Sequence, residues 1–218
     1  MRFPMIAEVH AYWEALRNGR SVPMRSEVDP RGIERALENA FILERVAPGV
    51  ARFRLAGTHL NELMGMDVRG MPLSAFFTPG VRDALGKVLD AMFGQPEIVD
   101  LTLSGERGIG KPLMEARLLM LPLKSDLGVV NRALGCLASI GPIGRAPRRF
   151  DITLIKTTSI WSETKPVRSE TRYPSAPIAV PQEPQVGFSE APAGFTQAPG
   201  TRPVVKGRPA LRLVKSDD

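Results

Sequence analysis

The sequence predicts an α+β protein built on a five-stranded antiparallel sheet, with short helices and one longer helix on one face. Three observations carry this. Two strand-like runs, "AFILERV" and "VARFRLAG", are joined by Ala47-Pro48-Gly49 as a hairpin. A helical stripe of Val81, Leu85, Val88, Leu89 and Met92 comes later in the chain. Three further strand-like runs, "EIVDLTLSGE", "KPLMEARLLMLPL" and "VVNRALGCLASI", are separated by the glycine-bearing turns "RGIG" and "KSDLG". A hairpin, then helices, then three consecutive strands is a layered arrangement in which the helices cover the sheet.

From the N-terminus, Met5, Ile6, Val9, Trp13 and Leu16 recur at helical spacing from Pro4 to about Arg17, and Gly19 stops the helix. In "RSEVDPRGIERALENAF", Asp29 is a good N-cap and Pro30 takes the first helical position. Ile33, Ala36, Leu37 and Ala40 form the apolar face of this second helix, which runs to about Asn39. The period then changes to two, with Phe53 and Leu55 alternating against Arg52 and Arg54. From Thr58 to Phe77 the chain is broken by Gly65, Gly70 and Pro72, which predicts two short helical turns joined by a loop. Gly57, Gly65 and Gly70 each stand where a positive φ is useful. Thr78 and Pro79 start the longer helix, and Gly94 ends it.

A chain of 218 residues can hold one domain and something more. Proline shows where the surplus lies: nine of the 20 prolines fall up to Gly141 and eleven after it. The sequence thus divides into a helical extension over 1–39, a core domain over 40–141, and a Pro-rich, basic, mostly disordered tail over 142–218. Within the tail, "RRFDITLI" reads as an edge strand or a segment lying along the domain. "RPALRLVKSDD", with Leu211, Leu213 and Val214, reads as a docking peptide or as plain disorder.

Charge divides in the same way. Up to Ile143 there are 17 Lys+Arg against 16 Asp+Glu, a net of +1; from Gly144 there are 12 against 7, a net of +5. The basic residues stand singly among prolines, so a solvated tail is favoured over nucleic-acid binding. Cys136 is the single cysteine and can form no internal disulfide, as suits a reducing compartment. Glu8, His10 and Glu14 interrupt the N-terminus where a secretory signal needs an unbroken apolar core. No stretch approaches the roughly 20 apolar residues of a membrane span. A cytoplasmic protein with no membrane partner is expected.

Catalytic motifs are scarce. Gly105-Glu106-Arg107-Gly108-Ile109-Gly110-Lys111 fits a phosphate-loop skeleton, but Pro112 stands in place of the Ser or Thr that would hold magnesium, and a strand follows where a helix must open. A hairpin turn is the better reading. The two histidines, His10 and His59, sit in no metal-chelating or triad pattern. His10 falls on the polar side of the first helix, and Cys136 reads as a small buried thiol. Glu62 and Asp67 flank Gly65 in a polar loop, where solvated ion pairs with arginines are expected. His59 opens a short helix, a place from which an imidazole can reach a haem iron. A haem-based sensor, or a small α+β enzyme using His59, is therefore the alternative to a non-enzymatic reading.

The segment "Asn61-Glu62-Leu63-Met64-Gly65-Met66-Asp67-Val68-Arg69-Gly70-Met71-Pro72-Leu73" resembles the short-helix region of PAS sensory domains. Tyr12-Trp13 with Leu16-Arg17, "Pro23-Met24-Arg25-Ser26-Glu27-Val28-Asp29-Pro30", "Phe53-Arg54-Leu55-Ala56-Gly57-Thr58" and "Leu121-Pro122-Leu123" together resemble a PAS-like family of mainly alphaproteobacterial proteins, over about residues 8–140. The resemblance implies a signalling module without catalytic residues, acting through protein partners. It also implies a pocket between sheet and short helices, lined here by Leu60, Leu63, Met64 and Phe76, unless these side chains simply fill the core. No cofactor is required, and haem or another small ligand is the candidate. No cysteine occurs over 58–93, which argues against flavin–cysteinyl photochemistry. The stripe Ile6, Val9, Trp13 and Leu16 would support a homodimer through the first helix, or would pack on its own sheet.

Overall fold

The computed structural model describes residues 2–160 and 168–172. Helix α1 (Pro4–Arg17) is followed by 3-10 turns at Arg25–Glu27 and Pro30–Asn39 and by the hairpin β1 (Ala40–Ala47) and β2 (Val50–Ala56). Helix α2 (Thr58–Met64), a 3-10 turn at Leu73–Phe76, and α3 (Arg82–Gly94) come next. Four more strands complete the order: β3 (Glu97–Gly105), β4 (Glu115–Lys124), β5 (Val130–Ile140) and β6 (Phe150–Ser159), with β7 (Arg168–Arg172) beyond them.

Among the described residues the sheet has seven strands, in the order β2-β1-β5-β4-β3-β6-β7, where five strands were expected. The five are present, each close to its expected bounds. The sixth is the "RRFDITLI" segment, which pairs antiparallel with β3 from Glu97–Ser159 to Gly105–Phe150. The seventh pairs antiparallel with β6. The sheet therefore continues past residue 142, where the tail was expected to begin. Residues 161–167 and 173–218, including the "RPALRLVKSDD" segment, lie outside the described residues.

Both faces of the sheet are covered, which explains why β4 reads as a nearly unbroken apolar run. Alternate residues belong to different cores. On the inner face Phe41, Phe53, Leu101, Leu118 and Leu137 pack under α2, α3 and the turn at Leu73–Phe76. On the outer face Ile42, Leu119, Leu121, Leu134 and Cys136 pack under α1 and the 3-10 segment. Ile6, Val9 and Trp13 of α1 are buried there, and the Trp13 indole donates to the Pro122 carbonyl at 2.9 Å. The stripe that suggested a dimer is thus spent within the chain, and pairing through it would require α1 to leave the sheet.

The second helix differs from expectation. Asp29 does cap it, accepting from the Arg31 amide at 3.0 Å, but Pro30–Asn39 is 3-10 in character, with a kink at Ile33 where φ is −133°. The cause is contact: the Tyr12 ring lies where a Cβ on Gly32 would stand, so the segment is drawn onto α1. Gly57 is also corrected. Its φ is −72°, an ordinary value, and it is needed because a Cβ would strike the Leu37 and Glu38 carbonyls. Gly65 and Gly70 have the positive φ expected, at 71° and 80°.

Candidate functional site

The elements bring Leu60, Leu63, Met64 and Phe76 together in the inner core, all nearly fully buried. Leu60, Leu63 and Met64 come from successive turns of α2, held short by Gly65; Phe76 comes from the turn that follows Pro72. The space beside them is taken by protein. Phe41 meets Phe53 edge-on with ring centroids 5.4 Å apart, and Phe53 meets Phe76 at 5.3 Å. Such offset aromatic contacts add about 0.5–1.5 kcal/mol each beyond area burial. The Phe41 ring occupies the volume above Gly135, where any side chain would overlap it.

His59 does not join this cluster. Its Nε2 is hydrogen-bonded at 3.0 Å to Ser139 Oγ at the end of β5, and Nδ1 is 4.0 Å from Glu62 Oε2. Burial pulls its pKa below the usual imidazole value, opposed by Glu62 and Glu38. Ser139 thus engages Nε2 while Nδ1 faces Glu62. His59 is a polar tie between α2 and β5.

The remaining candidates are also structural. Gly105 ends β3, Gly108 and Lys111 form a bridge, and Lys111 pairs with Glu106 at 2.7 Å, so the phosphate-loop look-alike is a hairpin turn. Asp67 accepts from the Arg69 amide at 2.9 Å, closing a local turn rather than an arginine pair. Cys136 is buried on the outer face, and burial pushes its thiol up to about 12. Among the described residues no group of three or more His, Cys, Asp or Glu could hold a metal ion. Among them, too, no helix is long and apolar enough to cross a membrane.

A cleft of about 270 Å³ opens elsewhere, on the outer face. Its floor is the row Leu55, Ile42 and Leu134, which stand side by side on β2, β1 and β5. Its roof is Ile33 and Leu37 of the 3-10 segment, and Arg25 and Arg69 join the lining from two separate loops. Sequence reasoning missed this site because its residues come from five places in the chain. The available signal was Leu55, an apolar residue on an edge strand beside exposed Arg54, and Arg25 within the family-like segment 23–30.

Among solved structures, the light-state structure of the blue-light photoreceptor Aureochrome1 LOV is similar at a TM-score of 0.38 and 16% identity, covering 51% of this chain and 88% of that chain. The dark structure of the same photoreceptor gives 0.37 at 16% identity, covering 50% of this chain and 80% of that one. The curated proteins offer no match. The sequence model of the PAS domain, however, matches residues 1–138, taking in α1, its 3-10 partner and strands β1–β4 with nearly all of β5. With a short-helix layer over one face of an antiparallel sheet and that match over more than half its length, the chain belongs to the PAS domain family.

Proposed function

We propose that this chain is a non-enzymatic regulatory module of the cytoplasm that passes a signal through contacts with protein partners. PAS domains are sensory modules, and that coarser role follows from the family. The observation that carries the finer reading is the N-terminal layer. It covers the outer face of the sheet through a handful of polar attachments: Trp13 to Pro122, the Lys124 amide to the Pro23 carbonyl at 2.9 Å, Asn39 to the Leu137 carbonyl at 3.0 Å and the Arg2–Glu115 ion pair, while Tyr12 and Asp29 are bonded within the layer. A layer held in this way can adopt two arrangements, and a partner that binds one of them better shifts the population.

A small ligand among Leu60, Leu63, Met64 and Phe76 belongs to the proposal in one form only: those side chains must part to admit it. Fold alone does not assign a partner. Capture of native partners by the full chain, compared with a Trp13→Ala variant that loosens the layer, tests the reading. A partner retained by one form and lost or strengthened with the other supports it. Identical capture by both forms, or none above a blank matrix, overturns it.

A further inference from the structure

We propose that the outer-face cleft binds an amphipathic anion: a carboxylate or phosphate head on a short aliphatic body. Three observations converge on this chemistry. The floor and roof are apolar, and two of their members are incompletely covered: Leu37 is 45% exposed and Leu55 is 46% exposed. A hydrocarbon body lying on them removes that surface from water, which favours binding at roughly 25 cal/mol per Å². The cleft size suits a small molecule.

The second observation is charge. Among the described residues, the guanidinium groups of Arg25 and Arg69 make no hydrogen bond or ion pair. The neighbouring carboxylates are engaged elsewhere: Glu27 with Arg20 and the Met24 amide, Asp29 with the Arg31 amide, and Asp67 with the Arg69 amide. The guanidinium fork matches the paired oxygens of a carboxylate or phosphate.

The third is position. Arg69 reaches the cleft because its loop is stitched to the edge of β2, through Gly70 N to Phe53 O at 2.8 Å and Phe53 N to Met71 O at 3.0 Å. Arg25 is set by the turn whose Glu27 side chain accepts from the Met24 amide at 2.7 Å. Both cationic side chains are therefore carried by anchored backbone beside a preformed apolar floor. This site lies beneath the same N-terminal layer that carries the partner-binding reading, but it does not rest on that reading: direct titration reads ligand binding alone, so the two fail separately.

Isothermal titration of the full chain with octanoate, octyl phosphate and octanol tests the inference. Saturable one-to-one binding of octanoate or octyl phosphate is expected, with octanol weaker by about tenfold or more. The stronger of the two anions identifies the head group. The double variant Arg25→Gln, Arg69→Gln should lose about tenfold in anion affinity and none for octanol, at an unchanged melting temperature. If that variant unfolds, Leu55→Asn serves instead and should weaken all three probes. Equal binding of octanol and the anions, non-saturable binding, or an acidic leucine-containing peptide that binds while neither anion competes would overturn the proposal.

Discussion

The Tyr12 phenol and the Asp29 backbone are bonded in both directions: the Asp29 amide donates to the phenolic oxygen at 2.7 Å, and the hydroxyl donates to the Asp29 carbonyl at 3.0 Å. One side chain thereby fastens α1 to the start of the 3-10 segment, while its ring rests on Gly32. Tyr12→Phe keeps the ring and removes both bonds. At about 1 ± 0.5 kcal/mol per bond, the variant should lose roughly 1–2 kcal/mol in chemical denaturation. Burial also raises the Tyr12 pKa above 10.0, so the folded state favours the neutral phenol. Its contribution is intact below pH 10.0 and is lost as pH rises through the folded value. An alkaline melting series should show the loss in the parent and a smaller one in Tyr12→Phe.

The inner face makes a second case. Phe76→Ala should cost about 3–5 kcal/mol, because the surrounding core relaxes only partly into the space left behind. A dry apolar void of that kind accepts small aromatic molecules. Indole should therefore raise the melting temperature of the variant and leave the parent unmoved. Stabilisation of the parent by indole would mean that the aromatic core already opens. Gly135→Ala, which pushes a methyl group into the Phe41 ring, should cost about 1–3 kcal/mol with no gain in ligand binding.

His59 predicts an acid-side dependence. Its folded pKa lies below 6.5, so the unfolded chain takes up the proton first. The associated stability is fully present above pH 6.5 and declines as pH falls through the folded value. Melting temperature should begin to drop as pH falls below 6.5, ahead of most carboxylate titration. His59→Gln can keep a bond to Ser139 without titrating, and should flatten the drop. An unchanged slope in that variant would remove His59 as its source.

The segments that carried the family resemblance turn out to be parts in contact. Trp13 bonds the Pro122 carbonyl, Met24 bridges Lys124, and Tyr12 bonds Asp29, so three motifs scattered along the chain form the outer layer together. Five strands and α3 were legible because their apolar residues alternate or recur on one face. β7 was not: Arg168–Arg172 carries no apolar residue and joins the sheet through backbone pairing to β6. The helix expected at Pro30–Asn39 was misread because Tyr12, 20 residues before Gly32, decides its geometry. Leu60, Leu63, Met64 and Phe76 share the inner core, and composition does not tell a lined pocket from a filled one. That distinction rests on Phe41 lying over Gly135, a contact between strands far apart in sequence.

Arg148 supports a last prediction, about the segment that extends the sheet beyond β5. It is fully buried, and its guanidinium donates to the Ile143 carbonyl at 2.5 Å and the Pro112 carbonyl at 2.7 Å, while its backbone amide donates to the Leu63 carbonyl at 2.7 Å. One residue thus ties the chain after β5 to the β3–β4 turn and to α2, just before Phe150 begins β6. Burial lowers the Arg148 pKa from its usual value, with Glu106 opposing. Arg148→Met leaves two carbonyls without their donor; hydrogen bonds to a charged group are worth about 1.5–3 kcal/mol each, so a loss of roughly 3–6 kcal/mol is expected. Lysine cannot reproduce the fork that reaches both carbonyls, so Arg148→Lys should recover little of it. Limited proteolysis supplies the local readout: in both variants the 141–149 segment should be cut faster than in the parent, while the β1–β2 hairpin keeps its protection. Uniform acceleration across the chain would show instead that Arg148 holds the whole domain.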